Sequence, residues 1–264
     1  MLSMPRVIAE NEWLIAINKP AGLIAHSDGR TQEPSLAEWI GERYGALRGV
    51  GDDWISPQGE HVPLNGLVHR LDRSTSGVIL AAQTPEAFEY LKREFKERRV
   101  EKKYLAWVCR EPVSGFALRL ASETNAPQWV RMPGAKRLGL ELNEKGTIVA
   151  EIMRSSERPK RWYARPCDES DPRAAITDWK LLKTKDGASL LEISPKTGRT
   201  HQIRVHMASI GHPLVADHLY APDRASILGF SRPALHAESI SLMLPSGSKA
   251  TYVAPLPPDF VRAQ

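Results

Sequence analysis

The sequence predicts an α+β fold built around a largely antiparallel sheet. Two observations support this: strand-like and helix-like segments are mixed along the chain, and they lack the regular strand-helix-strand alternation of a parallel sheet. A third observation is size, because 264 residues with 42% hydrophobic content are enough for a full core. No repeat, low-complexity tract or clear linker divides the chain, so we expect one domain over residues 1–264.

The N-terminal half is organised by short apolar patterns and turn residues. The predicted elements are, in order, a strand pair over Val7–Lys19, a helix over Ser35–Tyr44, a loop over Gly49–Asn65 and a buried strand over Val78–Ala82. A second helix follows with Thr84 as N-cap, Pro85 at its first position and Phe88, Leu91 and Phe95 as its apolar stripe.

The C-terminal half begins with a strand and then becomes irregular. Its predicted elements are a strand over Lys102–Cys109, an irregular basic segment over Glu111–Arg173, a strand pair over Ala174–Leu182 and Ala188–Ile193, a helix over Thr200–Ile210 and a hairpin over Leu235–Leu242 and Ala250–Ala254. In the helix, Ile203, Met207 and Ile210 recur at helical spacing, and Gly211 follows the last of them.

The chain carries a moderate positive charge. Lys and Arg number 36 against 31 Asp and Glu, a formal charge of +5, which suits a polyanionic partner without requiring one. The cations concentrate in Lys92–Lys103 and Arg154–Arg173, two candidate phosphate-facing surfaces. For the first segment a solvated helix face remains an equal alternative, because Glu89, Glu94 and Glu97 are interleaved with the cations.

The cysteines and the apolar runs indicate where the protein works. Cys109 and Cys167 stand far apart without Cys-x-x-Cys spacing, which argues against a disulfide scaffold or a structural zinc site. Residues 1–20 lack the continuous apolar segment of a secretory signal, and no stretch approaches the length of a membrane-spanning helix. We therefore expect a soluble protein of the cytoplasm.

The most informative segment is His69-Arg70-Leu71-Asp72-Arg73-Ser74-Thr75-Ser76-Gly77, which sets one carboxylate between two arginines. Neighbouring cations favour the ionised form of Asp72, so this side chain is a candidate nucleophile or base. A structural ion pair or a turn cap is the alternative for the same residue. Two distant segments add further chemistry: Gly198-Arg199-Thr200-His201-Gln202-Ile203-Arg204 supplies a cation, and Lys102-Lys103-Tyr104 supplies an aromatic ring.

Several reaction classes lack their signatures in this sequence. The glycine patterns of dinucleotide and nucleoside triphosphate sites do not occur, which excludes hydride transfer. The segment His69-Arg70-Leu71-Asp72 is superficially like a protein kinase catalytic loop, but the glycine-rich loop and the Asp-Phe-Gly motif are missing. The histidines at 201, 206, 212 and 218 do not form a His-Glu-x-x-His pair, so we assign them to packing and expect no metal and no cofactor.

Taken together, these motifs resemble the RluA-type RNA pseudouridine synthases. The resemblance covers, in order, Asn18-Lys19-Pro20-Ala21-Gly22-Leu23, His69-Arg70-Leu71-Asp72 with Thr75-Ser76-Gly77, Lys103-Tyr104, residues 198–206, Gly211-His212-Pro213, Leu235-His236-Ala237 and Pro258-Asp259-Phe260. It implies a pseudouridine synthase fold, with a mixed, mostly antiparallel sheet flanked by helices and loops around a central RNA-binding cleft.

The resemblance also implies a division of roles. Asp72 would be the nucleophile, Tyr104 the ring against the target uracil and Arg204 the cation beside the aspartate. Arg70 would take the place of a flipped-out base, and His69, Thr75 and Ser76 would shape the loop. The residues expected to contact the RNA substrate, either rRNA or tRNA, are Arg70, His69, Arg199, His201, Lys92, Arg93 and Lys96, with Arg158, Lys160, Arg161 and Arg165 as further phosphate contacts.

Three departures from the family pattern and two other function classes complete the expectations. The segment Glu111–Arg173 is longer than in compact family members, and a disordered surface loop is the alternative to phosphate contacts there. We expect no separate N-terminal RNA-binding domain and a monomer, and Ala216 stands where the family often has glycine. The chain could also be a catalytically idle RNA-binding factor on this fold. A carboxylate-based hydrolase of nucleosides or glycans is the other alternative, although no second catalytic acid stands out.

Overall fold

The computed structural model describes residues 3–27, 33–56, 59–110, 130–131, 145–156, 158 and 161–264. Within these ranges the strands are β1 (Arg6–Glu10), β2 (Leu14–Lys19), β3 (Asp53–Ile55), β4 (His61–Pro63), β5 (Ser76–Ala82), β6 (Glu101–Cys109), β7 (Val130–Arg131), β8 (Lys145–Arg154), β9 (Trp162–Pro166), β10 (Ala174–Lys185), β11 (Ala188–Pro195), β12 (Leu235–Met243) and β13 (Lys249–Val253). The helices are α1 (Leu36–Arg43), α2 (Pro85–Lys96), α3 (Gln202–Ser209) and α4 (Pro258–Ala263), with a 3₁₀ helix at Gly45–Leu47.

The predicted α+β class is confirmed, since strands dominate the described residues. The strand pairs β1–β2, β2–β5, β6–β11, β8–β10, β10–β11 and β12–β13 are all antiparallel. The chain forms two compact units, one from Met1–Lys102 with Ala237–Leu256 and the other from Lys103–His236 with Pro257–Gln264. The expected single domain over residues 1–264 stays a prediction. None of the helices in the described ranges has both the length and the apolar character needed to cross a membrane.

The first unit is a sheet with strand order β1-β2-β5-β12, and β13 pairs with β12. Every residue of β5 is buried, as its short β-branched run predicts for an interior strand. Gly77 in this strand has φ +125, and a Cβ at this position would lie 2.1 Å from the carbonyl oxygen of Ala237. The two backbones therefore approach as closely as they do because residue 77 has no side chain.

The helices of the first unit begin where the sequence predicts. Ser35 caps α1 in a capping box with Glu38, and Thr84 caps α2 by accepting a hydrogen bond from the Ala87 N–H. Pro85 occupies the first turn of α2, where a missing N–H has no cost. The predicted helix over Ser35–Tyr44 and the predicted start of α2 are confirmed.

Two expectations for this unit are wrong in part. The segment Gly49–Asn65 contains the antiparallel pair β3 and β4, which the prediction of a loop missed because each strand is only three residues long and partly polar. A solvated helix face was one of two equal alternatives for the segment that includes Glu94, but the Glu94 side chain is buried and accepts hydrogen bonds from the guanidinium of Arg99. A buried carboxylate of this kind is held by its cation rather than by water.

The second unit is a sheet with strand order β6-β11-β10-β8-β7, with β9 beside β8. Helix α3 packs over this sheet, and its Ile203 and Met207 join a core that includes Trp179 and Leu191. The predicted strands of this unit are confirmed as β6, β10 and β11.

The predicted hairpin near the end of the chain is confirmed as β12 and β13, which extend the sheet of the first unit.

The irregular character expected for Glu111–Arg173 is wrong for three described stretches, the first of which is the short strand β7. Residues Lys145–Arg154 form β8, with Ile148, Val149 and Ala150 buried, and Trp162–Pro166 form β9. Prolines and basic residues around these stretches concealed the short apolar run. Lys160 lies outside the described residues.

Helix α3 starts two residues later than the predicted Thr200. His201 has φ +55, in the left-handed region, and therefore cannot belong to the helix itself. The helix thus runs from Gln202 to Ser209, and Arg204 is its third residue.

Candidate active site

Asp72 lies half-buried on a loop of the first unit, just ahead of β5. The Thr75 N–H donates to the Asp72 carbonyl oxygen at 3.0 Å, which closes a turn behind the carboxylate. The next residue, Arg73, has its carbonyl oxygen 2.8 Å from the Gly22 N–H. Leu71 is buried on the other side of Asp72, so the backbone that presents this carboxylate is held on both flanks.

Lys19 anchors the same loop from inside the unit. Its side chain is 0% exposed, and the ammonium donates to the carbonyl oxygens of Pro20 at 2.9 Å, Leu23 at 2.8 Å and Arg73 at 3.3 Å. A buried ammonium is tolerated because its three N–H donors meet three backbone acceptors. The lysine of the Asn18-Lys19-Pro20 motif thereby ties two loops together beside Asp72.

His69 makes structural contacts in this unit. Its Nε2 accepts a hydrogen bond from the Leu80 N–H at 3.0 Å, and its ring stacks on Phe95 with centroids 4.5 Å apart. Burial and the charge of Lys102 lower the pKa of His69 to about 3, so the imidazole is neutral at pH 7. These contacts fit the loop-shaping role expected for His69. Arg70, the next residue, is exposed.

Tyr104 belongs to β6 in the second unit and pairs with Ile193 of β11. Its ring is half-buried and packs against the core of that unit. The role of Tyr104 as the ring against the target uracil stays a prediction.

Arg204 is buried in the second unit, where it forms a bidentate ion pair with Asp217. The distances are 2.8 Å from Nε to Oδ2 and 2.9 Å from Nη2 to Oδ1. Asp217 is 1% exposed and also accepts hydrogen bonds from the backbone N–H groups of Leu219 and Tyr220. This fork-on-fork geometry fixes the plane of the guanidinium. The pairing of Arg204 with Asp72 stays a prediction.

Tyr220 connects Arg204 to an edge of the sheet. Its ring centre lies 5.1 Å from the Arg204 guanidinium carbon. Its hydroxyl accepts a hydrogen bond from the Trp162 N–H of β9 at 3.2 Å and lies 2.9 Å from Nδ1 of His201. His201, expected to contact RNA, is therefore also part of the packing around Arg204.

A buried polar network holds the start of α3. The side-chain oxygen of Gln202 accepts from the Thr197 hydroxyl at 2.7 Å and from the Arg199 N–H at 3.0 Å, and its amide donates to the Thr177 hydroxyl at 2.9 Å. His206 places Nδ1 2.9 Å from that same hydroxyl, and burial lowers the pKa of His206 to about 3. These hydrogen bonds connect the turn before α3 to Thr177 of β10. The side chain of Arg199 is exposed.

The cations expected to contact RNA differ in their surroundings. Lys92 is ion-paired with Asp52 and Glu89. The guanidinium of Arg93 lies 5.5 Å from the ring centre of Tyr90, and Lys96 is exposed at the end of α2. On β9, Arg165 pairs with the buried carboxylate of Glu151. Their proposed contacts with RNA stay predictions.

In the part of the chain that the structure describes, no three His, Cys, Asp or Glu side chains come close enough together to hold a metal ion. The first unit contains the half-buried carboxylate of Asp72, and the second unit contains the half-buried Tyr104 and the buried Arg204.

Residues 13–209 match the RNA pseudouridylate synthase family. Among curated relatives, an uncharacterized RNA pseudouridine synthase of Synechocystis sp. is 32% identical over 96% of this chain and 66% of its own length. The ribosomal large subunit pseudouridine synthase D of Nitrosomonas europaea is 33% identical over 96% of this chain and 62% of its own length. The chain thus spans slightly less than two thirds of the length of these relatives.

Solved structures agree at the level of the fold. Human RNA pseudouridylate synthase domain containing 4 has a TM-score of 0.64 at 22% identity, covering 97% of this chain and 90% of that one. Human RNA pseudouridylate synthase domain containing 1 has a TM-score of 0.58 at 22% identity, covering 98% of this chain and 93% of that one. The fold is that of pseudouridylate synthases, and the chain belongs to the RNA pseudouridylate synthase family.

Sequence reasoning missed Asp217, Tyr220 and the anchoring role of Lys19. Ala216, which directly precedes Asp217, was noted only as a departure from the family pattern. Ala216 has φ +57, which gives the physical reason for a glycine preference there. An acid and an aromatic residue immediately after such a turn are the signal that could have indicated a partner for Arg204.

Proposed function

We propose that this chain isomerises uridine to pseudouridine in structured RNA, with Asp72 as the nucleophile. The observation that carries the proposal is the loop of Asp72, whose carboxylate is half-buried on backbone fixed by Lys19 and by the Gly22 N–H, in a chain of this family. The relatives named for the ribosomal large subunit make rRNA the first substrate to test, with tRNA second. We further expect a cytoplasmic monomer.

The reaction needs little besides a positioned carboxylate. The N1–C1′ bond of uridine breaks, the uracil turns, a C5–C1′ bond forms, and the proton lost from C5 is balanced by one gained at N1. Asp72 would attack C1′ or C6, or stabilise an electron-poor sugar, and then move the proton. Tyr104 would stack on the uracil, and Arg70 would occupy the place that the flipped nucleotide leaves.

Arg204 fits the role of the cation beside Asp72 even though it pairs with Asp217. The Asp217 pair uses Nε and Nη2, and a guanidinium carries five N–H donors in total. One arginine can therefore be oriented by one carboxylate and serve a second. In this arrangement Asp217 is a positioning residue, and Arg204 would be the cation beside Asp72.

The test is to incubate the protein with total RNA from a strain lacking the gene and to map pseudouridines. We expect new pseudouridine with the wild type, none with Asp72→Asn and strongly reduced turnover with Arg204→Leu. The matched control is Asp223→Asn, the same change at an exposed aspartate, which we expect to be active. Full activity of Asp72→Asn would refute the role of Asp72 as the nucleophile.

The same incubation separates the alternative functions. Free uracil in place of pseudouridine would identify a hydrolase. RNA binding by the wild type without any chemical change in the RNA would identify an idle binding factor.

A further inference from the structure

Tyr220 contacts both members of the ion pair between Arg204 and Asp217. Its ring centre lies 5.1 Å from the Arg204 guanidinium carbon, within the range of a cation–π contact. Its backbone N–H donates to Oδ1 of Asp217 at 3.3 Å, and Tyr220 as a whole is 8% exposed. The guanidinium is therefore held by a carboxylate and by a buried ring, and a shift of the ring would change its orientation.

The hydroxyl of Tyr220 is held from two sides. It accepts a hydrogen bond from the N–H of Trp162, the first residue of β9, at 3.2 Å. Because a backbone N–H can only donate, the hydroxyl proton is available for Nδ1 of His201, which lies 2.9 Å away. The rings of His201 and Tyr220 also meet edge to face, with centroids 5.7 Å apart. These contacts fix the polar end of the tyrosine ring.

His201 stands at a backbone position that does not itself require an imidazole. Its φ is +55, in the left-handed region that glycine and asparagine adopt most readily. It is the N-cap residue of α3, but its side chain makes no capping hydrogen bond. The imidazole instead contacts Tyr220. This contact explains a histidine at position 201 better than the start of the helix does.

We infer that His201 and Tyr220 are positioning residues for Arg204. The His201 imidazole holds the Tyr220 hydroxyl, and the Tyr220 ring holds the guanidinium. The inference rests on the proposed function, in which Arg204 is the cation beside Asp72. It gives His201 a role in turnover, in place of the RNA contact expected from the sequence. Loss of either residue should therefore slow the reaction and leave the affinity for RNA unchanged.

Two single variants remove the contact between hydroxyl and imidazole with little change to the fold. Tyr220→Phe keeps the ring and loses the hydroxyl, while His201→Gly loses the imidazole and suits the left-handed backbone. The assay is single-turnover formation of pseudouridine with saturating protein and total RNA from a strain lacking the gene. We expect the rate to fall about tenfold in each variant, the effect of one hydrogen bond.

The same titration separates positioning from RNA contact. The protein concentration that gives half the maximal rate reports the affinity for RNA, and we expect it to equal that of the wild type in both variants. A wild-type rate in either variant would overturn the inference. Weakened affinity with an unchanged maximal rate would also overturn it, because that result is the one expected of an RNA contact.

A double variant and a conservative variant test whether His201 acts through Tyr220. If both residues serve one contact, His201→Gly with Tyr220→Phe should be about tenfold slower than the wild type, like each single variant, whereas independent effects would multiply to about a hundredfold. His201→Asn should regain most of the rate, because asparagine tolerates the left-handed backbone and keeps a hydrogen-bonding group near the place of Nδ1. Multiplied effects, or an asparagine variant as slow as His201→Gly, would overturn the inference.

NMR spectroscopy of the protein without RNA follows the guanidinium itself. The Nε–H of Arg204 donates to Oδ2 of Asp217 at 2.8 Å, and its nitrogen–proton signal is assigned by its loss in Arg204→Lys. The current in the adjacent aromatic ring makes the chemical shift of this signal sensitive to the position of the ring. We expect the signal to move in Tyr220→Phe and in His201→Gly. A signal at the wild-type position in both variants would overturn the inference.

The matched controls lie in the same unit. Tyr163→Phe removes the hydroxyl of a tyrosine that is 38% exposed, and His218→Ala removes an exposed imidazole next to Asp217. We expect the wild-type rate and the wild-type Arg204 signal in both. Losses of rate in the controls equal to those in the test variants would overturn the inference, since any change of this kind would then slow the reaction.

The NMR signal and the formation of pseudouridine are measured separately, so the two proposals can fail separately. If the wild type forms pseudouridine but both test variants keep its rate and its Arg204 signal, the positioning role is wrong and the proposed function stands. If the signal moves in both test variants but the wild type forms no pseudouridine, the positioning of Arg204 stands and the proposed function is wrong.

Discussion

Lys19 and Arg204, both cationic, are buried for a reason that their hydrogen bonds explain. Lys19 meets three carbonyl oxygens and Arg204 meets both oxygens of Asp217. In each case the charge is offset by acceptors arranged before any ligand arrives. Both lysine and arginine lie in motifs that the sequence alone marks as informative, but the sequence does not identify their acceptors, because these come from other parts of the chain.

At Lys19 we expect Lys19→Met to lower the free energy of unfolding by about 2–4 kcal/mol. The thioether fills much of the volume but leaves the carbonyl oxygens of Pro20 and Leu23 without the ammonium donor, and the Arg73 carbonyl with only the Gly22 N–H. Turnover should fall as well, since the Arg73 carbonyl beside Asp72 loses one of its two donors. Urea denaturation measures the first effect, with exposed Lys249→Met as the control. Wild-type stability in Lys19→Met would contradict this account.

At Asp217 we expect Asp217→Ala to destabilise the protein by about 3–5 kcal/mol, because it leaves the Arg204 charge buried and unpaired. Replacing both partners, as Asp217→Leu with Arg204→Met, should cost clearly less. Denaturant melts of the three variants form the comparison. A double variant less stable than Asp217→Ala would show that the ion pair itself, rather than the unpaired charge, sets the stability.

At the level of elements, caps and apolar stripes made the helices predictable. Thr84-Pro85 located the start of α2. For α1 the sequence indicated the helix, and the structure adds the capping box of Ser35 with Glu38. Strands β8 and β9 were missed because strand formation depends on cross-strand neighbours that a local pattern does not contain. The late start of α3 was also missed because it involves residues distant in the chain. His201 has a left-handed backbone, and its ring contacts the hydroxyl of Tyr220.

The capping box of α1 gives a prediction for an element. Ser35→Ala removes the acceptor for the Glu38 N–H, and we expect a loss of about 1 kcal/mol in the free energy of unfolding. Ser35→Asp should retain most of the stability, because aspartate is an equally good N-cap. Chemical denaturation distinguishes the two variants. Equal losses in both would mean that packing of the buried Ser35 outweighs its capping bond.

For the whole molecule, the buried histidines predict how stability depends on pH. His69 and His206, one in each unit, have pKa values of about 3 against an ordinary value of 6.5. Below pH 6.5 the unfolded chain binds protons that the folded chain does not, so the stabilisation from neutral burial is lost as pH falls towards 3.

Urea midpoints between pH 7.5 and 5.5 test this dependence before most carboxylates titrate. We expect the midpoint to fall with pH, and His206→Asn to make the dependence shallower. His61→Asn, at an exposed histidine, serves as the control. A midpoint that is constant or rises as the pH falls would contradict the assignment of both histidines as neutral.

Fold class and family were thus accessible from the sequence, whereas the organisation of the site was only partly so. Motif residues such as Asp72 are recognisable because their chemistry requires particular side chains at fixed spacing. Asp217 was not, since its significance lies in a buried contact that no local pattern encodes.

The contact at Gly77 sets a limit on how this protein can be engineered. With 2.1 Å between a hypothetical methyl group and the Ala237 oxygen, even alanine would force two neighbouring strands apart. That separation would begin five residues after Asp72, at the foot of the loop that presents it. Mutagenesis libraries aimed at altering target choice can therefore vary the exposed cations widely, but codon 77 has to be kept constant.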